Sequence, residues 1–563
     1  MKFEFTRLSR WQGAISLVLL ACSMGTTGCQ FKSEQVDLVI HNGTVLSLDP
    51  ENRRAQAVAV RDGRIVEVGA ERAILNKYRA ASYTDLRGGV LMPGLLDGHA
   101  HLIGFADGLL EANLVGTASW KEAVERVIAH HTEWPSEWVL GRGWDQNDWE
   151  SQSFPSRALL DSAFPDRPAA LERIDGHALI VNATALRLAG IAGSEAIEVE
   201  GGEIVRDGDG MPTGVLIDNA CALVSNIVPS RPEEERLLAL DRAQELLLAA
   251  GITGVTDAGL SPTAIERIDS LHAIGRLKLR VNALVSASDE NIAWLIEGGR
   301  RSKERLVVNG VKFYMDGALG SRGALLRSPY SDRSGWHGLA TQHPATYQNQ
   351  LATLHAHELQ AATHCIGDSA VGMVLEMYGN VLEGSNDFRW RIEHAQVVSQ
   401  ADIAQFATYS VIPSIQPTHA TSDMYWAGER LGRNRIRRAY AYQELLHALG
   451  MVALGTDFPV ELIDPRRTFV AAVARVDAAG FPTGGYQIEN ALTPEQALRG
   501  MTHWVAIAQF QENQLGTIEP GKWADFTWVD RNWLEVNPQE VGSSQVIGTC
   551  IAGEWCYLAT ERE

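Results

Sequence analysis

Residues 90–102 read Val90-Leu-Met-Pro-Gly-Leu-Leu-Asp-Gly-His-Ala-His-Leu102. An apolar run leads into two histidines one residue apart. Side chains at i and i+2 of a strand share a face, so His99 and His101 aim two imidazoles at one point. Neutral imidazole is a good ligand for zinc and other divalent transition metals. Pro93 and Gly94 limit how far a regular strand can run. A lone His-x-His pair is weak, and its weight depends on what lies downstream.

Strand-like runs follow at Ile252–Thr256, Leu279–Val285, Val307–Tyr314, Gln360–Thr363, Trp390–Ile392, Val411–Ser414 and Met451–Leu454. With Val90–Leu96 they make eight, alternating with helical stretches. That alternation predicts an α/β fold, a TIM-like (β/α)8 barrel whose site lies at the C-terminal ends of its strands. Polar residues close several runs: Lys312, His364, His394 and Asp457. The barrel would bring them to one face with His99 and His101. Four histidines and an aspartate suit a nitrogen/oxygen metal site. A lysine ammonium has no lone pair, so Lys312 is either deprotonated and reactive or a counter-ion for Asp316 or Asp457.

Residues 36–90 are read as a small β segment with hairpins at Asn42-Gly43 and Asp62-Gly63. Residues 510–560 answer it, with strand, turn and strand over 515–529 and a hairpin around Gly553-Glu554. The two ends are expected to form one flanking β-sandwich on a barrel spanning 91–500. Residues 105–245 exceed a normal connection and are read as a subdomain inserted after the first barrel strand.

With 563 residues, 45% of them hydrophobic, the chain has ample core. A formal charge of −20 disfavours nucleic-acid partners. Lys2, Arg7 and Arg10 precede a short apolar run, Trp11–Leu20, so residues 1–29 read as an export signal. Leu19-Leu-Ala-Cys22 and Thr26-Thr-Gly-Cys29 both resemble a lipoprotein cleavage box. The expected location is the periplasm or a lipid-anchored membrane face, the anchor being the only membrane contact. The partner is a small-molecule substrate; a homo-oligomer is compatible with the sequence. Cys550 and Cys556 either pair across a hairpin or stay as free thiols.

Taken together, the motifs resemble amidohydrolase family 3 of the amidohydrolase superfamily, the branch that includes N-substituted formamide deformylases. They are Pro93-Gly-Leu-Leu-Asp-Gly-His-Ala-His101, Val311-Lys-Phe-Tyr-Met-Asp-Gly-Ala-Leu-Gly-Ser-Arg322, His364-Cys-Ile-Gly-Asp368, Arg391-Ile-Glu-His-Ala395 and Leu454-Gly-Thr-Asp-Phe-Pro459. Cys365 and Ser369 depart from the pattern. The resemblance implies one or two divalent metals, zinc first among them. His99 and His101 would hold one ion, His364 and His394 the other, and a carboxylated Lys312 would bridge them. Asp457 would be both ligand and general base. The expected reaction is hydrolysis of a non-peptide carbon–nitrogen bond, amide or N-formyl, by metal-bound hydroxide. The alternatives are hydrolysis of an ester, lactone or cyclic amide, or a non-catalytic periplasmic binding lipoprotein.

His177 is expected to touch substrate, as the resemblance suggests. Trp144 and Asp145 are expected near the pocket. Arg322 would hold a substrate carboxylate or pair with Asp316, itself a candidate contact in the same loop. Glu393 and Asp368 are candidates to orient histidine rings.

Overall fold

A computed structural model describes residues 33–559 except 192, 196 and 230. The expected signal and both lipobox cysteines fall outside the described residues.

Eight parallel strands, in chain order, form the barrel of the central sheet. They are β1 (Leu95–Ala100), β2 (Ile252–Leu260), β3 (Arg280–Ser286), β4 (Leu306–Tyr314), β5 (Gln360–Cys365), β6 (Arg391–His394), β7 (Ile412–Ile415) and β8 (Ala453–Leu454). A two-residue strand, Arg301–Ser302, pairs antiparallel with β4. β8 is only two residues long, yet the chain beyond it returns to β1. Asp457 N–H donates to His99 O at 2.8 Å, and His101 N–H to Phe458 O at 2.9 Å. The barrel is therefore nearly closed, and its seam runs through three of the expected site residues. The strands are buried on both faces and read as apolar runs, as parallel strands covered by helices must.

The expected first strand divides. Val90–Pro93 leaves the barrel and pairs with Phe526–Val529 and Thr44–Leu46. The break falls at Gly94, where a Cβ would sit 2.4 Å from Thr253 Oγ1. This gives a six-stranded sheet drawn from both termini. A four-stranded sheet, including Glu34–His41 and Ala57–Arg61, shares an apolar cluster with it: Leu38, Val58, Leu91, Phe526 and Trp528 among others. Arg280 and Asp525 form a buried ion pair that ties β3 to the C-terminal strand.

Two local expectations are corrected. Asn42-Gly43 is not a hairpin turn, because it carries the chain from one sheet into the other. Asp62-Gly63 does join two paired strands. Residues 515–523 form no strand, and the paired segment begins at Phe526. Cys550 and Cys556 are free thiols.

The inserted region holds its own six-stranded sheet, from Ala112–Asn113 to Pro212–Asp218. Helix Glu233–Ala249, which begins inside the expected insertion 105–245 and runs past its end, packs through Leu240, Ala243 and Leu247 into the barrel core, so the insertion ends earlier than expected.

Candidate functional site

β1 ends at Ala100, so His99 points into the barrel while His101 starts the next turn. His99 Nδ1 lies 2.5 Å from Glu393 Oε2. The ionised carboxylate only accepts, so Nδ1 carries the proton and the Nε2 lone pair faces the barrel mouth. Lys312 Nζ donates to that Nε2 at 3.4 Å. Arg391 holds Glu393 in turn, and its Nη2 also donates to Gly98 O at 2.6 Å and Ser414 Oγ at 2.8 Å. His394 Nδ1 donates to Gln416 Oε1 at 2.8 Å, which fixes the second ring.

Asp457 stands among these rings, with Oδ1 3.4 Å from His99 Nε2 and 3.2 Å from His101 Nε2. Oδ1 is buried and has no hydrogen-bond partner. The ligand atoms of His99, His394 and Asp457 lie within 4.8 Å of one another. The rings are neutral: burial, then the Lys312 charge, lowers His99 to about 4, and burial drives His394 and His364 well below the usual histidine range. Burial would raise Asp457, but the surrounding His99, His101 and His394 hold it well below the carboxylate range. Neutral imidazole lone pairs converging on an orphaned buried carboxylate oxygen suit a divalent cation. The donor set therefore fits a metal.

The mutually close set takes one histidine from each expected pair, while His101, the expected partner of His99, is the histidine nearest Asp457. His101 approaches Asp457 from the open side, 28% exposed. His364 packs against His394, ring centroids 4.5 Å apart, and its Nε2 lies 3.5 Å from Gly317 O. Lys312 is buried beside His99 and under the Tyr314 ring, 4.5 Å from its centroid.

A family model described as "Amidohydrolase family" matches residues 83–557. The chain belongs to the amidohydrolase family. Protein LONG AFTER FAR-RED 3 of Arabidopsis thaliana is 32% identical over 92% of this chain and 91% of its own length. The N-substituted formamide deformylase of Arthrobacter pascens is 29% identical, covering 93% and 99%. A solved structure titled as an uncharacterized metal-dependent hydrolase from Pyrococcus horikoshii OT3 superposes with a TM-score of 0.72 at 26% identity, over 89% of this chain and 99% of that one.

In this amidohydrolase a cavity of about 950 Å³ opens above the donors, walled by barrel loops and by the insertion. His177 lines it, its ring 4.9 Å from His364. Burial lowers the His177 pKa, but a 2.8 Å hydrogen bond to Asp218 outweighs this and leaves it raised. Three expected substrate contacts lie elsewhere. Trp144 is fully buried in the core of the insertion and donates to Leu171 O. Arg322 pairs with Asp332 at 2.9 Å rather than with Asp316 or the cavity. Asp316 accepts the backbone N–H groups of Ile366, Gly367 and Leu325, so it fixes the loop after His364. Asp368 holds Arg327 N rather than a histidine.

Sequence reading missed Asp257, Tyr314 and His419, all lining the cavity. Asp257 was within reach, since it follows directly on the predicted run Ile252–Thr256. His419 lies beyond β7 on a short helix, where no strand-end rule points.

Proposed function

We propose that this amidohydrolase hydrolyses a non-peptide carbon–nitrogen bond, of amide or N-formyl type, in a small molecule. The carrying observation is Asp457, ionised and buried among His99, His101 and His394 with Oδ1 lacking a hydrogen-bond partner. The formamide deformylase likeness supports the bond type. His99, His394 and Asp457 would hold a divalent metal, zinc first, with His101 and His364 as further donors. A carboxylated Lys312 would serve if a second ion binds. A bound ion supplies Lewis acidity, which polarises a carbonyl and acidifies water.

The chain's own groups do the rest. Asp457 takes the proton from the attacking water and returns it to the leaving nitrogen. Glu393 and Gln416 keep the His99 and His394 lone pairs turned inward. His177, braced by Asp218, donates a hydrogen bond to the substrate from the insertion side. The insertion closes over the barrel mouth and restricts water. The terminal sheets are read as the flanking β-sandwich, on the apolar cluster they share.

The chain is further proposed to be exported and lipid-anchored at Cys22 or Cys29. Palmitate labelling lost in Cys22→Ser or Cys29→Ser would identify the anchor, and labelling of neither site would reject it.

The test of the reaction is a panel of N-formyl amines, N-acyl amines, cyclic amides, esters and lactones, offered to metal-depleted and metal-reloaded enzyme. Metal-dependent release of amine from the first two classes is expected. Turnover confined to esters or lactones would contradict the bond type, and no turnover at all would favour a binding protein.

A further inference from the structure

The charges lining the cavity are not balanced. Among its guanidinium groups, Arg142 is paired with Glu172, Arg173 with Asp145 and Asp175, and Arg236 with Asp107. Asp148, Asp423 and Glu461 line the same cavity, and among the described residues no Lys or Arg lies within ion-pair distance of them. Asp423 is held by neutral donors, Gln396 and Tyr440, each at 2.7 Å. Ser422 Oγ donates to Glu461 Oε1 at 2.7 Å, which joins the helix after β7 to the loop after β8. His419 and, more weakly, the exposed Arg467 favour the ionised form of Glu461, and neither forms an ion pair with it.

His419 is the independent sign that this wall takes a ligand. It lies on helix Pro417–Asp423, one turn before Asp423 and so on the same face. Its side chain lines the cavity and the residue is 8% exposed, yet Nε2 has no hydrogen-bond partner. Nε2 stands 3.7 Å from Asp457 Oδ2, so the wall begins at the metal donors. Trp426 adds apolar surface beside it. Burial raises Asp423 to about 7 despite His419 and Tyr440, a cost that a bound cation relieves.

We infer that the substrate carries an organic cation, such as a protonated amine, on the part away from the bond that is cut, and that Asp423, Glu461 and Asp148 receive it next to His419. This rests on the hydrolase reading and narrows its substrate class. Compounds with an anionic group at that end are excluded by the same wall.

The test uses the full metal-loaded chain and two probes of like shape, hexylammonium chloride and 1-hexanol, by isothermal titration calorimetry. Hexylammonium is expected to bind at least about tenfold more tightly than hexanol, and Asp423→Asn/Glu461→Gln is expected to abolish that preference. If the double variant loses its fold by circular dichroism, Asp148→Asn on the exposed insertion loop is expected to weaken the preference in the same direction. Equal binding of the two probes, or a preference untouched by these variants, overturns the inference. Binding is read without turnover, so a failed hydrolysis panel rejects the reaction and not this subsite.

Discussion

Asp457 and Glu393 do different work from neighbouring positions. Asp457 is the proton carrier, so Asp457→Asn should lower kcat by about 10²–10⁴-fold, measured at matched metal content. Unchanged turnover would remove it from the reaction. Glu393 sets the His99 tautomer, so Glu393→Gln should weaken metal affinity about 10–100-fold, measured by chelator competition. It should also cost about 3–5 kcal/mol at neutral pH, because buried Arg391 loses its charge partner. Burial raises the Glu393 carboxyl, but Arg391 and then His99 outweigh it and hold the pKa well below the ordinary 4.5. A depressed carboxyl stabilises fully above its unfolded pKa and loses that contribution as pH falls towards its folded one. The stability gap between wild type and Glu393→Gln, from urea titrations, should therefore narrow below about pH 4.5. A gap that widens in acid would contradict the pairing. The donors were legible one by one, because a polar residue at the end of an apolar run is visible in sequence. Trp144 and Arg322 misled because burial in the insertion and pairing with Asp332 depend on contacts that spacing does not encode.

The barrel seam is the element on which the site depends. Gly455 sits where β8 meets β1, and a Cβ there would lie 2.5 Å from His99 N and 2.9 Å from Asp97 Oδ1. Gly455→Ala should destabilise by about 1–3 kcal/mol and displace His99, so loss of metal affinity should accompany the shift in urea midpoint. Normal affinity with lowered stability would show that the seam does not position the donor. Seven of the eight expected barrel strands coincide in position with observed ones, with ends that differ by up to four residues, because buried parallel strands read as apolar runs. The first, Val90–Leu96, meets the observed barrel strand only at Leu95 and Leu96. Pro93-Gly94 marks the break, but the close approach of Thr253 to Gly94 that sends the two halves to different sheets is not visible in sequence. Asn42-Gly43 failed similarly, since its left-handed Asn42 turns the chain between sheets as readily as within a hairpin.

At the scale of the whole chain, termini and barrel behave as one body, tied by the Arg280–Asp525 pair and by Val90–Pro93 in the terminal sheet. Asp525→Asn should cost about 3–5 kcal/mol, and calorimetry should still show one unfolding transition. Two separated transitions would mean that the sheets and barrel fold independently. The insertion was legible only as excess length. Its sheet, its His177–Asp218 pair and its part in the cavity wall arise from pairings between segments distant in sequence. The central claim is that His99, His394 and Asp457 form a metal site. The measurement that tests it most directly is divalent metal per chain, by plasma mass spectrometry after gel filtration, for wild type and His99→Ala/His394→Ala. Wild type is predicted to retain at least one ion per chain, and the folded double variant almost none. Equal metal in both proteins, or hydrolysis by a wild type that holds none, would contradict the account.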